Sequence, residues 1–218
     1  MARNILYIHG MGGGGDSRIP SILRDALTGD AEVIVRTYDF DPEAAAVQIE
    51  SWVKEFKPSI IVGESLGSLH ALRIKGIPHV LVSPSLNAPL YFSHLAWLTY
   101  LPGVTSLLDR IYRPREGDRQ KIHFTPSIMR KYSLHRDLAL ENSIKKESRD
   151  TFHAFFGTRD HYRRSGIVSI RTWERYFGPD SYDIYGGTHF MEEEFIHEML
   201  IPKLRLFLDT ASDPLQES

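Results

Sequence analysis

The feature that most restricts the fold is an alternation of short apolar runs with segments of helical periodicity. Asn4–Ile8 is an apolar run that ends at His9-Gly10. Ile19, Ile22, Leu23, Ala26 and Leu27 follow at helical spacing, with Gly29 as the stop. Residues 33–38 are β-branched and aromatic, and Val47, Ile49, Trp52, Val53 and Phe56 mark a second helix halted by Pro58. Ile60-Ile61-Val62 reads as a third strand, residues 66–75 as a helix, and Val80-Leu81-Val82 as a fourth strand. The pattern resumes late in the chain. Residues 152–156 and Tyr182–Tyr185 read as strands, separated by a helix through Ile167, Ile170, Trp173 and Phe177. A last amphipathic helix passes through Phe195, Ile196, Met199, Leu200, Leu204 and Phe207, and Pro202 is expected to kink it. Runs that are apolar throughout suit strands covered on both faces, and strand–helix alternation implies parallel pairing. The expected fold is α/β, with three α/β/α layers around a mostly parallel six-stranded sheet.

The alternation breaks from about residue 86 to 150, a stretch that contains Pro89, Pro102, Pro114 and Pro126 and mixes an apolar patch around Leu95, Trp97, Tyr100 and Leu101 with a charged loop over residues 113–121. An irregular connection of this length is unusual inside a compact domain. The stretch is therefore expected to be an inserted, mostly helical cap on one domain of residues 1–218. The small, polar tail from about residue 210 is expected to fray.

Composition narrows the function classes. Twenty-six basic residues face twenty-eight acidic ones for a net charge of −2, and no basic stripe suggests a nucleic-acid partner. With no cysteine, disulfide frameworks and thiolate nucleophiles are excluded. The chain enters its first strand almost at once, without the apolar leader of a secretory signal. Its most apolar stretch, residues 90–101, falls short of the ~20 residues a bilayer span needs. The expected setting is the cytoplasm, with no transmembrane segment. No His and carboxylate spacing suggests a metal site, no cofactor is expected, and the oligomeric state stays open.

The sharpest motif is Gly63-Glu64-Ser65-Leu66-Gly67, a G-x-S-x-G match directly after one apolar run and before a helix. A serine at such a turn is held with its hydroxyl above the sheet, and Gly63 and Gly67 stand where a side chain would clash between helix and strand. The first strand ends in His9-Gly10-Met11-Gly12-Gly13-Gly14-Gly15-Asp16. In a hydrolase this loop supplies one backbone N–H to a developing oxyanion, and the residue after the nucleophile, Leu66, supplies the other. Met11 is the expected loop donor and Gly12 the alternative. A rival reading exists, because Gly10, Gly12 and Gly15 also satisfy the G-x-G-x-x-G of dinucleotide sites, with Asp39 closing the second strand. Against it, Asp16 reads as a helix N-cap whose carboxylate would repel a pyrophosphate. The rival also leaves Ser65 unexplained.

A serine nucleophile needs a base and an orienting acid. His189, in Gly186-Gly187-Thr188-His189-Phe190, follows the last strand and precedes the last helix. It therefore sits at the carboxyl edge of the sheet, as Ser65 does. Asp160, in Gly157-Thr158-Arg159-Asp160, follows the preceding strand. Asp183 is the second candidate acid, but it lies within a strand. His9 is expected to shape its loop.

These four segments, in the chain order Ser, Asp, His, resemble the α/β-hydrolase superfamily over roughly residues 4–208. The shape is that of its short, six-stranded, serine esterase-like members. The resemblance implies attack by Ser65 on a small-molecule ester or thioester, an acyl-enzyme, and its hydrolysis by water activated through His189. It is also compatible with a non-catalytic or acyl-transferring relative. Arg159, Arg163 and Arg164 suit either an anionic leaving group, such as a coenzyme A thioester, or a solvated charged face.

Overall fold

The computed structural model describes residues 3–113, 116–144 and 150–210. The expected frayed tail, beyond residue 210, lies outside the described residues. Six strands, β1 (Asn4–Ile8), β2 (Glu32–Val35), β3 (Ile60–Glu64), β4 (His79–Val82), β5 (Phe152–Gly157) and β6 (Tyr182–Tyr185), form one sheet in the order β2-β1-β3-β4-β5-β6. Every neighbouring pair is parallel. The helices are α1 (Arg18–Ala26), α2 (Pro42–Phe56), α3 (Gly67–Ala71), α4 (Ala88–Leu95), α5 (Val104–Ile111), α6 (Pro126–Ile144), α7 (His161–Ser165), α8 (Ile170–Phe177), α9 (Glu193–Phe195) and α10 (Ile201–Thr210).

Because side chains alternate along a strand, each strand feeds two cores. Leu6, Ile8, Ile61, Leu81 and Phe156 face α2, α3, α6 and α8. Ile5, Tyr7, Val62, Val80 and Phe155 face α1 and the C-terminal helices. Both faces are thus covered, which accounts for strands that are apolar throughout.

Local chemistry sets the element ends. In α2, Pro42 occupies the first turn and the Asp41 side chain accepts a hydrogen bond from Glu43 N at 2.9 Å. Its inner face is Ala45 and Ile49, whereas Val47, expected to mark that face, is exposed. The second apolar run leaves the sheet after Val35. There Tyr38 stacks on His9 and donates its hydroxyl to the His9 carbonyl at 2.6 Å. The helix after Ser65 is shorter than residues 66–75, because Arg73 N and Ile74 N turn back to His70 O and Ala71 O in tighter i→i−3 bonds. The kink expected at Pro202 takes the form of a π turn, Ile196–Leu200, just before it. Proline lacks an N–H and crowds the carbonyl four residues back, and the wider turn relieves that crowding.

Between β4 and β5, α4 packs on α6, while α6 packs on α2, α3 and α8 as part of the helical layer. Helix α5 buries none of its residues.

Several histidines are buried. His70 packs beside Tyr38, Tyr132 and His135, and Arg73 donates to His135 Nδ1 at 3.3 Å. Burial lowers His9, His79 and His135 from the ordinary value of 6.5 to about 4. Between these values the unfolded chain takes up protons that the folded chain does not. Stability therefore falls as pH drops below about 6.5, and this loss levels off near pH 4. At a few kcal/mol for each buried histidine, thermal unfolding midpoints are expected to fall steeply from pH 7 to pH 5. A midpoint that stays level over this range would contradict the neutral burial of these rings.

Candidate active site

The strand order reverses direction at β1, which lies between β2 and β3. Crevices at such switch points, beyond the carboxyl ends of the strands, are where open α/β sheets bind ligands. The loops after β1 and β3 meet there.

Ser65 follows β3 with φ at +50°, a region that non-glycine residues rarely adopt. Its backbone is braced on both sides. Ser65 N donates to Val82 O at 2.9 Å, and Ser65 O accepts from Ser85 N at 3.1 Å. The turn requires Gly67, where a Cβ would lie 2.3 Å from His9 O. Gly63 is also closely packed, its missing Cβ falling 2.9 Å from the Ser68 Cα. Gly10 stands against the serine itself, with space for a Cβ only 3.1 Å from Ser65 Cβ.

His189 and Asp160 arrive from the ends of β6 and β5. His189 Nε2 lies 2.9 Å from Ser65 Oγ, and His189 Nδ1 lies 2.8 Å from Asp160 Oδ2. Both His189 and Asp160 are buried. A ring that donates its Nδ1–H to the carboxylate presents the Nε2 lone pair to the serine hydroxyl. The other carboxylate oxygen, Oδ1, accepts from Tyr162 N at 2.8 Å and caps α7. The Tyr162 ring stands edge-on to the imidazole, with centroids 4.7 Å apart. Asp183, the alternative acid, instead meets His153 at 2.9 Å.

The glycine-rich loop is tied down by the segment before α6. Gly12 N donates to Gln120 Oε1 at 3.1 Å, Gly15 N to Asp118 Oδ2 at 3.2 Å, and Gly13 O accepts from Gln120 N at 2.8 Å. A Cβ on Gly14 would fall 1.6 Å from Asp118 O, so only glycine permits this backbone-to-backbone packing. Gly13 N and Gly14 N are also used, by Gly10 O and Ser17 Oγ. Met11 N and Leu66 N are not donated to any protein group among the described residues. Gly12 is thereby removed as the alternative donor, and a pyrophosphate would find its usual N–H cradle occupied. The strand order also differs from the 3-2-1-4-5-6 of dinucleotide folds. Helix α1 begins after Ser17, and Asp16 pairs with Arg119 at 2.8 Å and is not the cap.

Several participants escaped the sequence reading. Ser85 Oγ lies 3.1 Å from Ser65 Oγ. Glu192 receives Thr188 N at 3.0 Å and so holds the loop that carries His189. Arg18 donates from α1 to Phe190 O and, at 2.8 Å, to Met191 O of the same loop. Arg159 and Arg163 donate to Gly186 O and Gly157 O at 2.8 and 3.0 Å. These two arginines thus brace the backbone around the acid and the imidazole. The contacts of Ser85, Arg18 and Arg159 join residues from different strand ends, and no short motif encodes them.

Ser65 and His189 open into a cavity of about 450 Å³, whose walls include Met11, Leu66, Phe92 and Ile167. Among the described residues, no three His, Asp or Glu side chains converge as metal ligands would. No described helix is long and apolar enough to cross a membrane.

No protein-family model and no curated protein matches the chain. Solved structures do. A monoacylglycerol lipase from Paleococcus ferrophilus superposes with a TM-score of 0.64 at 17 % identity, covering 96 % of this chain and 95 % of that one. Est1E from Butyrivibrio proteoclasticus, solved with ferulic acid bound, gives 0.64 at 14 % identity over 96 % and 89 %. Mouse alpha/beta hydrolase domain-containing protein 10 gives 0.63 at 16 % identity over 96 % and 90 %. The fold is that of the α/β-hydrolases.

The tightness at the elbow yields a test. Gly67→Ala forces either α3 or the end of β1 to move. It is expected to destabilise the protein by about 1–3 kcal/mol, read as a lower urea midpoint. An unchanged midpoint would mean that the close approach to His9 O is not required.

Proposed function

We propose that this chain is a serine hydrolase acting on a carboxylic ester or thioester. The observation that carries the reading is the unbroken relay from Ser65 Oγ to His189 Nε2 at 2.9 Å and from His189 Nδ1 to Asp160 Oδ2 at 2.8 Å, at the base of the cavity.

A serine hydroxyl is a weak nucleophile at its ordinary pKa, so the base must take the proton as the bond forms. In this reading Ser65 Oγ attacks the substrate carbonyl and His189 Nε2 accepts the proton. The negative charge that develops on the carbonyl oxygen is met by the N–H groups of Met11 and Leu66. Donors already aimed at that charge need no reorganisation, and each is worth about 2.7–4 kcal/mol of transition-state stabilisation. Collapse of the intermediate expels the alkoxide or thiolate, which takes the proton from His189. The acyl group stays on Ser65. Water then repeats the sequence, losing its proton to His189 and releasing the acid. Asp160 keeps the ring in the required tautomer and stabilises the imidazolium. The apolar wall of Leu66, Phe92 and Ile167 suits an acyl chain or an aromatic acyl group. The neighbours named as a monoacylglycerol lipase and as Est1E with ferulic acid bound support the same class.

Hydrolysis of p-nitrophenyl esters from acetate to decanoate tests the reading. The wild type is expected to turn over at least one of them. Ser65→Ala and His189→Ala should lower kcat by about four to six orders of magnitude, and Asp160→Asn by about four. Full activity in a folded Ser65→Ala variant would refute the proposal.

A further inference from the structure

The stretch between α4 and α6 carries more apolar surface into solvent than any chemistry at Ser65 requires. Trp97 is 63 %, Tyr100 60 % and Ile111 64 % exposed, and Leu101 and Leu107 are each more than half exposed. They sit on or beside the 3₁₀ turn Leu98–Tyr100 and on α5, two elements that pack on each other. Scattered exposed apolar residues are ordinary, but a cluster of this size marks an interaction surface.

Its chemistry selects the partner. Trp and Tyr, each with an apolar body and a polar edge, favour the boundary between hydrocarbon and water. The charges carried by this segment are mostly cations. Arg110 stands within α5 beside Ile111, Arg113 follows the helix, and the Arg130 guanidinium lies 5.3 Å from the Tyr100 ring centre. The only acid between Ala88 and Arg113 is Asp109, and it is paired with His123 at 2.6 Å. An amphipathic element with aromatic and aliphatic residues on one side and arginines around it matches a lipid surface bearing negative charge. The same chain segment leads inward. On α4, Ala88 and Phe92 line the cavity at Ser65, while Leu95, at the end of the same helix, is exposed next to Trp97.

We propose that Trp97, Tyr100, Leu101, Leu107 and Ile111 form a docking face for the surface of an anionic bilayer, held at its rim by Arg110, Arg113 and Arg130. This surface sets the cavity mouth near a pool of amphiphilic molecules. The inference stands on exposure and charge and does not depend on Ser65 being a nucleophile.

The test is co-sedimentation of the full chain, as wild type and as Ser65→Ala, with vesicles of phosphatidylcholine alone or mixed equally with phosphatidylserine. Both proteins are expected to partition onto the mixed vesicles about tenfold or more tightly than onto phosphatidylcholine alone. Trp97 fluorescence, assigned by difference from Trp97→Phe, should shift to the blue on binding. The triple variant Trp97→Ser/Leu107→Ser/Ile111→Ser replaces only exposed side chains. It is expected to stay folded by circular dichroism and by its thermal unfolding midpoint, and to lose vesicle binding. Equal partitioning onto both vesicle types, or onto neither, would overturn the proposal. So would a wild-type dimer by light scattering that the triple variant converts to monomer, since that outcome assigns the face to a second copy of the chain.

Discussion

The approach of α3 to the end of β1 governs the rest of the structure. With only a hydrogen at Gly67, the first turn of α3 lies against the carbonyls of Ile8 and His9. That proximity places Gly10 beside Ser65 and aligns the loop after β1 with the turn after β3. A larger residue at Gly67 would separate two strand ends that must share one crevice. Close packing propagates such a displacement because interiors have little free volume to absorb it. The strain of a serine at positive φ is held by the same neighbourhood, through Val82 O and Ser85 N.

Around this contact the protein meets its polar obligations with long-range partners. A loop of consecutive glycines has many N–H groups and no side chains to occupy them. Gln120, Asp118 and Ser17 do so, and the segment that supplies Gln120 also donates to Tyr38 O at 3.2 Å. The glycines therefore serve packing more than mobility. In the same way the loop carrying His189 is held from three sides, by Glu192, Arg18 and Arg159. In the proposed chemistry, such bracing keeps the donors and the base in place before a substrate arrives, the condition under which electrostatic stabilisation is most effective.

How much of this was legible in the sequence follows from the range of each interaction. Apolar runs covered on both faces announced the strands, because burial dictates side-chain type position by position. Ser65, Asp160 and His189 were legible because each follows a run of strand character, and strand ends in a parallel sheet share an edge. Less was visible where one segment answers to a distant one. Nothing local at Gly12 indicates that its N–H belongs to Gln120, and nothing near Ser83-Pro84-Ser85 indicates that a hydroxyl will reach Ser65 Oγ. The exposed Val47 shows the opposite error: it stands two residues from both Ala45 and Ile49, about half a turn round the helix from the buried face. The long α6 read as part of a cap, yet its buried Met129, Tyr132, Ala139 and Leu140 join the main core.

Ser65, His189, Asp160 and the N–H groups of Met11 and Leu66 hang from the ends of β1, β3, β5 and β6, whose spacing the hydrogen-bonded sheet sets. The apolar turn and α5, between β4 and β5, supply none of these groups; they rest on the helical layer through Leu108, Tyr112–Phe124 and Tyr100–Arg130. The chain is thus divided into a part that must stay where it is and a part that can be rewritten. A duplicated copy could exchange residues 97–113 for a different surface, meet molecules in a different setting, and keep the same arrangement of side chains at the strand ends.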